Sequence, residues 1–239
     1  MTTQSLRGLA GTGPFHWRGD RPDLESFNAN FAGILAGERL ADADLALYVA
    51  FLESIRYPPN PNRALDGSLP DTPAEASAAL GKELFVKKSG QGRGLACVDC
   101  HAFPAGTGGM VVDAATLIQP QQMKVPQLRN LYRRLGMAAE GPSKAGFGFS
   151  HDGAADRVIT FLRRQALNAW PDEDKPHLEA FVLAFDTGTP PIVGHQVTLD
   201  ADGAESGAGR AALDLLESQA AELQCDLVAH AGARGTIRG

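Results

Sequence analysis

Cysteines at positions 97 and 100, followed at once by a histidine, form the run Cys97-Val98-Asp99-Cys100-His101. Two thiols at that spacing can add across the two vinyl groups of a porphyrin, and the adjacent imidazole can then reach the iron from one face. The C-x-x-C-H pattern is that of c-type haem attachment. A structural zinc site would need four soft ligands, usually as two pairs, and the other cysteine in the chain is the isolated Cys225. A thioredoxin-like redox pair would open a helix inside a βαβ unit, whereas a helical segment precedes this one and a Gly-rich one follows. Two inert buried cysteines would leave the histidine unexplained. The expected cofactor is therefore one covalently attached haem c per chain, held by Cys97, Cys100 and His101.

A low-spin haem needs a sixth ligand, and a Met thioether on the second face would raise the reduction potential. Met110, Met123 and Met137 all follow the motif, and His151 is a further candidate. Met110 follows His101 so soon that its loop would have to cross the haem edge abruptly. Met123 has a counterpart in an internal repeat. Each Met could equally be flexible core filler. Arg129 can offer a guanidinium fork to a haem propionate or form a surface ion pair. Lys82, Lys87, Lys88 and Arg93 cluster ahead of the motif, where they could steer an acidic redox partner or simply be a solvated face.

The elements that must position these groups read as helices joined by long loops. The repeat aligns Met1 to Leu9 with Met123 to Leu131, then Phe15-His16-Trp17-Arg18-Gly19-Asp20 with Phe149-Ser150-His151-Asp152-Gly153. It ends by aligning Ala50-Phe51-Leu52 through Pro58-Pro59 with Ala180-Phe181-Val182 through Pro190-Pro191. Helices are expected from Asp23 to Leu35 and from Asp42 or Asp44, with Leu45, Tyr48, Val49, Leu52 and Ile55 as an apolar stripe. Thr72-Pro73-Ala74-Glu75 reads as a capping box opening a third helix through Leu80, Leu84 and Phe85. Further helices are expected over 127–135, 156–167 and 174–185, with 103–118 and 136–148 as loops. After Pro191, Val197-Thr198-Leu199, a helix over 209–224 and Asp226-Leu227-Val228-Ala229 read as the start of a β-α-β unit.

The second repeat carries its C-x-x-C-H ahead of the aligned stretch, and the first has nothing equivalent before it. The expected organisation is thus residues 1–62 as the C-terminal part of a truncated cytochrome c-like domain and 71–190 as a cytochrome c domain with one haem. Residues 191–239 form an extension, read as the start of a further domain. The fold class expected is mainly α. The 239 residues are 44% hydrophobic and 21% charged, as in a folded globular protein, and the net charge of −6 offers no footprint for nucleic acid. No run is long and apolar enough to insert in a membrane. Residues 1–5 do not read as a secretory leader, which conflicts with export for haem attachment and suggests that the true N-terminus lies elsewhere.

Three elements together resemble a known group: Leu80-Gly81-Lys82-Glu83-Leu84-Phe85 ahead of the haem motif, Val125-Pro126-Gln127-Leu128-Arg129-Asn130, and His151-Asp152-Gly153. Over residues 74–187 the chain resembles the C-terminal haem domain of the dihaem cytochrome c peroxidase family and related multihaem cytochromes. The resemblance implies a periplasmic or otherwise exported protein that exchanges electrons with a redox protein partner. It also favours Met137 as sixth ligand over Met123, because related domains place a ligand beyond the Leu-Arg-Asn element. The long stretch between Asn130 and His151 departs from the family's shorter spacing. Electron transfer is the leading functional expectation. An electron-relay domain of a dihaem peroxidase-like oxidoreductase is an alternative, which would make the protein part of an enzyme, and a haem-based sensory or interaction module is another.

Overall fold

The computed structural model describes residues 4–72, 76–88, 94–117, 119–136, 146–164, 170–199, 206–233 and 236–238. Among these the regular structure is mainly helical, with three two-stranded antiparallel pairs. In the first repeat a 3-10 turn, Glu25–Phe27, runs into α1 (Asn28–Gly33), and α2 (Asp42–Ser54) follows. Ala41, not an aspartate, is the N-cap of α2 and makes no side-chain cap bond. Asp42 and Asp44 sit instead within the first turn, where the helix dipole favours negative charge. Leu9, Leu24, Leu45, Val49 and Leu52 form a small core, with Phe15, Phe27, Leu40 and Ile55 packed against it.

In the second repeat β1 (Asp71–Thr72) pairs with β2 (Ala76–Ser77) and leads into α3 (Ala78–Val86). The expected capping box is displaced: Thr72 belongs to β1, Pro73 to Glu75 lie outside the described residues, and the Ser77 hydroxyl caps α3 by accepting from the Leu80 N–H at 3.0 Å. Ala78, Gly81, Leu84 and Phe85 form one buried face of α3. That face lies on α7 (Lys175–Leu183), whose Leu178, Phe181 and Val182 are buried. A Cβ on Gly81 would collide with the His177 carbonyl and sit 2.8 Å from the Phe181 Cβ, so a side chain there would separate the helices. Opposite, the buried Glu179 carboxylate accepts from the Ile159 N–H at 3.1 Å and from Arg157 Nη2 at 2.6 Å. It thereby satisfies an otherwise unpaired donor at the start of α6 (Val158–Arg164).

Several expectations change here. Residues 127–135 are not an α-helix: Asn130 is left-handed (φ 70°), and only Leu131–Arg134 make a 3-10 turn. The Val125 and Leu128 N–H groups are already committed to the Met110 and Ala105 carbonyls, so an α-helix cannot use them. The 103–118 loop contains β3 (Val111–Val112), paired with β4 (Met123–Lys124), and α5 (Ala114–Leu117). Toward the C-terminus, α8 (Gly207–Ala221) forms, capped by Ser206, but 197–199 and 226–229 are not strands. The pairing there is local, β5 (Ala231–Ala233) with β6 (Thr236–Arg238), so the expected β-α-β start is not what the described residues form.

The repeat is visible as backbone geometry. Phe15 bridges Arg21 and Phe149 bridges Ala155, each across a turn with left-handed residues at matching places: His16 (φ 64°) with Ser150 (φ 68°), and Gly19 (φ 66°) with Gly153 (φ 75°). Gly8 (φ 63°) likewise matches Asn130 (φ 70°). Joining the two halves, Asn60 Nδ2 donates to the Leu183 and Phe185 carbonyls, at 2.9 and 2.8 Å, and Arg63 Nε donates to the Ala184 carbonyl at 2.9 Å. The chain after α2 thus satisfies the carbonyls at the end of α7. Lys124 Nζ donates to the Thr12 carbonyl and lies 5.5 Å from the Phe15 ring centroid.

Asn60 is 2% exposed, and Asn60→Ala would leave the carbonyls it serves at the end of α7 without that donor. Urea denaturation is expected to read a loss of about 2 kcal/mol. Burial lowers the Lys124 ammonium from 10.5 to about 8. The unfolded chain therefore binds more protons than the folded one between those values, and Lys124 adds stability as pH rises from about 8 toward 10.5. Denaturation of the parent beside Lys124→Met should show this gain in the parent and its loss in the variant.

Candidate functional site

Cys97–Cys100 form α4, a single helical turn. Ala96 is extended ahead of it, and the Asp99 carboxylate turns back to accept from the Ala96 N–H at 2.9 Å. The His101 N–H donates to the Cys97 carbonyl at 2.9 Å, after which His101 leaves helical geometry (φ −98°, ψ 61°). One turn brings positions i, i+3 and i+4 to the same side, so the two thiols and the imidazole share a face. Cys97 and Val98 pack against the second-repeat core, and α4 rests on α3.

The imidazole is oriented by the loop that follows. His101 Nδ1 lies 2.8 Å from the Gly106 carbonyl, which can only accept, so Nδ1 carries the proton and the Nε2 lone pair is left for a metal. Burial pulls the His101 pKa down, against the opposing pull of the Gly106 and Pro126 carbonyls. The neutral ring is the form that ligates. Gly106 itself is left-handed (φ +71°), and a Cβ there would stand 2.6 Å from the Leu128 Cβ. Its loop is clasped to the Val125–Leu128 segment by Thr107 Oγ1 donating to the Val125 carbonyl at 2.6 Å and by Leu128 N–H donating to Ala105 at 3.2 Å.

The Cys100 thiol is pushed up, first by burial and then by the charge of Asp99. That is the reverse of the lowered thiol a dithiol redox motif uses. No three His, Cys, Asp or Glu side chains among the described residues gather as a set that could hold one metal ion. Next along the chain, Phe103 stacks on Phe185 (5.6 Å, 11°) and joins Phe85 and Phe181, yet is 46% exposed. A flat apolar aromatic surface thus begins beside the histidine.

These residues fit a haem. The donor set is two thiols and a histidine with its tautomer set, flanked by aromatic rings. A further observation concerns the ring's carboxylates. Trp170, 7% exposed and in the same core cluster as Cys97, has an indole Nε1 without a hydrogen-bond partner. Indole can only donate, and a buried unpaired donor is costly; a propionate is an acceptor of the needed kind.

The other residues singled out from sequence are dispersed. Met123 is half-buried on β4 opposite Val112, Met110 is 44% exposed just ahead of β3, and Met137 lies outside the described residues, as does Arg93. The His151 ring stands against Trp17, 6.4 Å between centroids. Lys82, Lys87 and Lys88 are exposed on and just after α3. Arg129 faces the first repeat: Nη2 donates to the Gly8 carbonyl at 2.7 Å, Nε donates to Gln127 Oε1 at 2.9 Å, and the guanidinium lies over Tyr57. Sequence reasoning missed Gly106, Asp99 and Trp170. The glycine was legible as a turn, but which carbonyl it would present was not.

No protein-family model matches the chain, and no curated protein matches it. A solved structure of hydrazine synthase from Kuenenia stuttgartiensis, pressurised with xenon, is similar, with a TM-score of 0.54. Its identity to this chain is 15%, over 76% of this chain and 71% of that one. The likeness is one of fold.

Trp170→Phe removes the unpaired donor. The haem-free chain is expected to hold or gain stability, by about 1–3 kcal/mol at most, whereas the haem-loaded chain should lose stability. Thermal melts of both forms check this, and a loss of equal size in the two would remove the propionate assignment.

Proposed function

We propose that this chain is a haem c electron-transfer protein, part of a multihaem exported cytochrome. The observation that carries the reading is the His101 imidazole, its Nδ1 proton held by Gly106 and its Nε2 directed away from that bond, one helical turn from Cys97 and Cys100. When bound, haem c supplies a reversible one-electron iron couple. The chain's own contribution is to hold and tune it. Cys97 and Cys100 anchor the ring through thioether bonds, and His101 Nε2 ligates the iron. The Gly106 carbonyl fixes the imidazole tautomer and raises the basicity of Nε2.

Met137 is the sixth ligand in this reading and Met123 the alternative; Arg129 and Trp170 serve the propionates. Two of the three Arg129 nitrogens are engaged with Gly8 and Gln127, so its Nη1 is the one directed to that task. A redox protein is the partner, and Lys82, Lys87 and Lys88 favour an acidic one. No helix among the described residues is long and apolar enough to cross a membrane. A second reading, the electron-relay domain of a dihaem peroxidase-like oxidoreductase, is favoured by one observation. The turns 15–21 and 149–155 share their geometry and meet at Trp17 and His151, as two halves of a paired-haem unit would.

After expression with a haem-maturation system and an export leader, a pyridine haemochrome assay should find one covalent haem per chain. Cys97→Ala combined with Cys100→Ala should abolish it; haem retained through denaturation in that double variant would refute the assignment. Loss of the Met-to-iron charge-transfer band of the ferric protein is expected in Met137→Ala and not in Met123→Ala, and the opposite result transfers the ligand to Met123.

A further inference from the structure

Helix α2 has two apolar sides, and the described chain covers one. Leu45, Val49 and Leu52 are 7–8% exposed, whereas Leu47 is 72%, Tyr48 41% and Phe51 62% exposed. The end of α1 continues toward this open side, with Phe31 edge-on to Tyr48 at 6.1 Å and Ile34 and Leu35 exposed at 75% and 68%. An apolar surface of this kind on a soluble protein marks an interface.

The repeat indicates what belongs there. Aligning Ala50-Phe51-Leu52 with Ala180-Phe181-Val182 places Val49 and Leu52 at the positions of Glu179 and Val182, which are covered in both halves. The same register places Tyr48 and Phe51 at Leu178 and Phe181, which are 1% and 2% exposed because α3 lies across them. That packing depends on Gly81 at the crossing, with Leu84 and Phe85 following on the buried face. Leu47 takes the place of His177, whose Nδ1 receives the Ser77 N–H at 2.9 Å at the start of α3. Leu47 can offer no such acceptor, so a helix on α2 must begin with an apolar contact instead.

We propose that the Leu47, Tyr48 and Phe51 face receives a second helix of the α3 kind. Its pattern is a glycine or alanine at the crossing and an apolar pair three and four residues later. It is supplied by the same polypeptide on the N-terminal side of residue 1, in the chain order in which α3 precedes α7. A second copy does not suit the face, because α3, the helix with the required small-residue stripe, is already seated on α7. The inference rests on the multihaem reading only for what that segment goes on to carry; the docking itself rests on the repeat.

The test is thiol accessibility in the full-length polypeptide and in the 239-residue chain, both haem-loaded and with Cys225→Ser. Phe51→Cys is read with a maleimide, and Leu47→Cys is a second probe in case the first disturbs packing. Both thiols should react freely in the shorter chain and about a hundredfold more slowly in the full-length protein. Equal rates in the two would overturn the proposal. So would protection of the shorter chain that grows with protein concentration, which would assign the face to self-association. Haemochrome assays on the same samples separate the two ideas: haem without protection sinks the docking alone, and protection without haem sinks the cofactor reading alone.

Discussion

The hydrogen bond from His101 Nδ1 to the Gly106 carbonyl is the constraint around which the second repeat is arranged. It decides which imidazole nitrogen can ligate, and it can form only if residue 106 turns back with a left-handed backbone and no side chain. That turn is held by the 125–128 segment, which gives up helical hydrogen bonding to clasp it. The left-handed Asn130 and the short 3-10 turn after it follow from the same commitment. Behind the histidine, α4 needs a platform, and α3 supplies one by crossing α7 close enough that Gly81 alone is tolerated. A single acceptor thus dictates a loop, a ribbon and a helix crossing.

Cations at the meeting of the repeats are met by neutral groups. Arg129 lies over Tyr57 and donates to a backbone carbonyl, Arg134 lies over Trp17, and Lys124 lies over Phe15 while donating to Thr12. Quadrupolar rings and carbonyl dipoles stabilise a cation less than a carboxylate would in the same place, and burial lowers the pKa of each of the three. The arrangement still gives a specific register, because each cation reaches a particular ring and, for Arg129 and Lys124, a particular carbonyl of the first repeat. Asn60 and Arg63 complete the same junction from the other direction by satisfying the end of α7.

What was legible in the sequence was whatever depends on local periodicity. The bounds of α2 and α7 and the faces of α3 followed from spacing of apolar residues, and the repeat followed from ordered matches. The C-x-x-C-H cluster was legible as five contiguous residues whose chemistry needs no long-range contact to be read. The departures arise where a distant group competes for a backbone donor. The 127–135 helix is lost to carbonyls at Ala105 and Met110, and the α3 cap moved to Ser77 because Thr72 joined a hairpin. Trp170 could not be found at all from sequence, since an unpaired indole is a property of the packed core.

The asymmetry between the halves gives the repeat its meaning. Phe51 and Phe181 occupy equivalent places on equivalent helices, and one is 62% exposed while the other is 2% exposed. Composition does not distinguish them; the presence of a crossing helix does. A helix evolving as a solvated surface would be expected to exchange Leu47, Tyr48 and Phe51 for polar residues, since each exposed apolar side chain raises the risk of aggregation without stabilising the fold. Their retention at the positions used for packing in the second repeat argues that α2 is shaped for a partner of the same kind. The first repeat is therefore better understood as half of a helix pair than as a loosely packed domain.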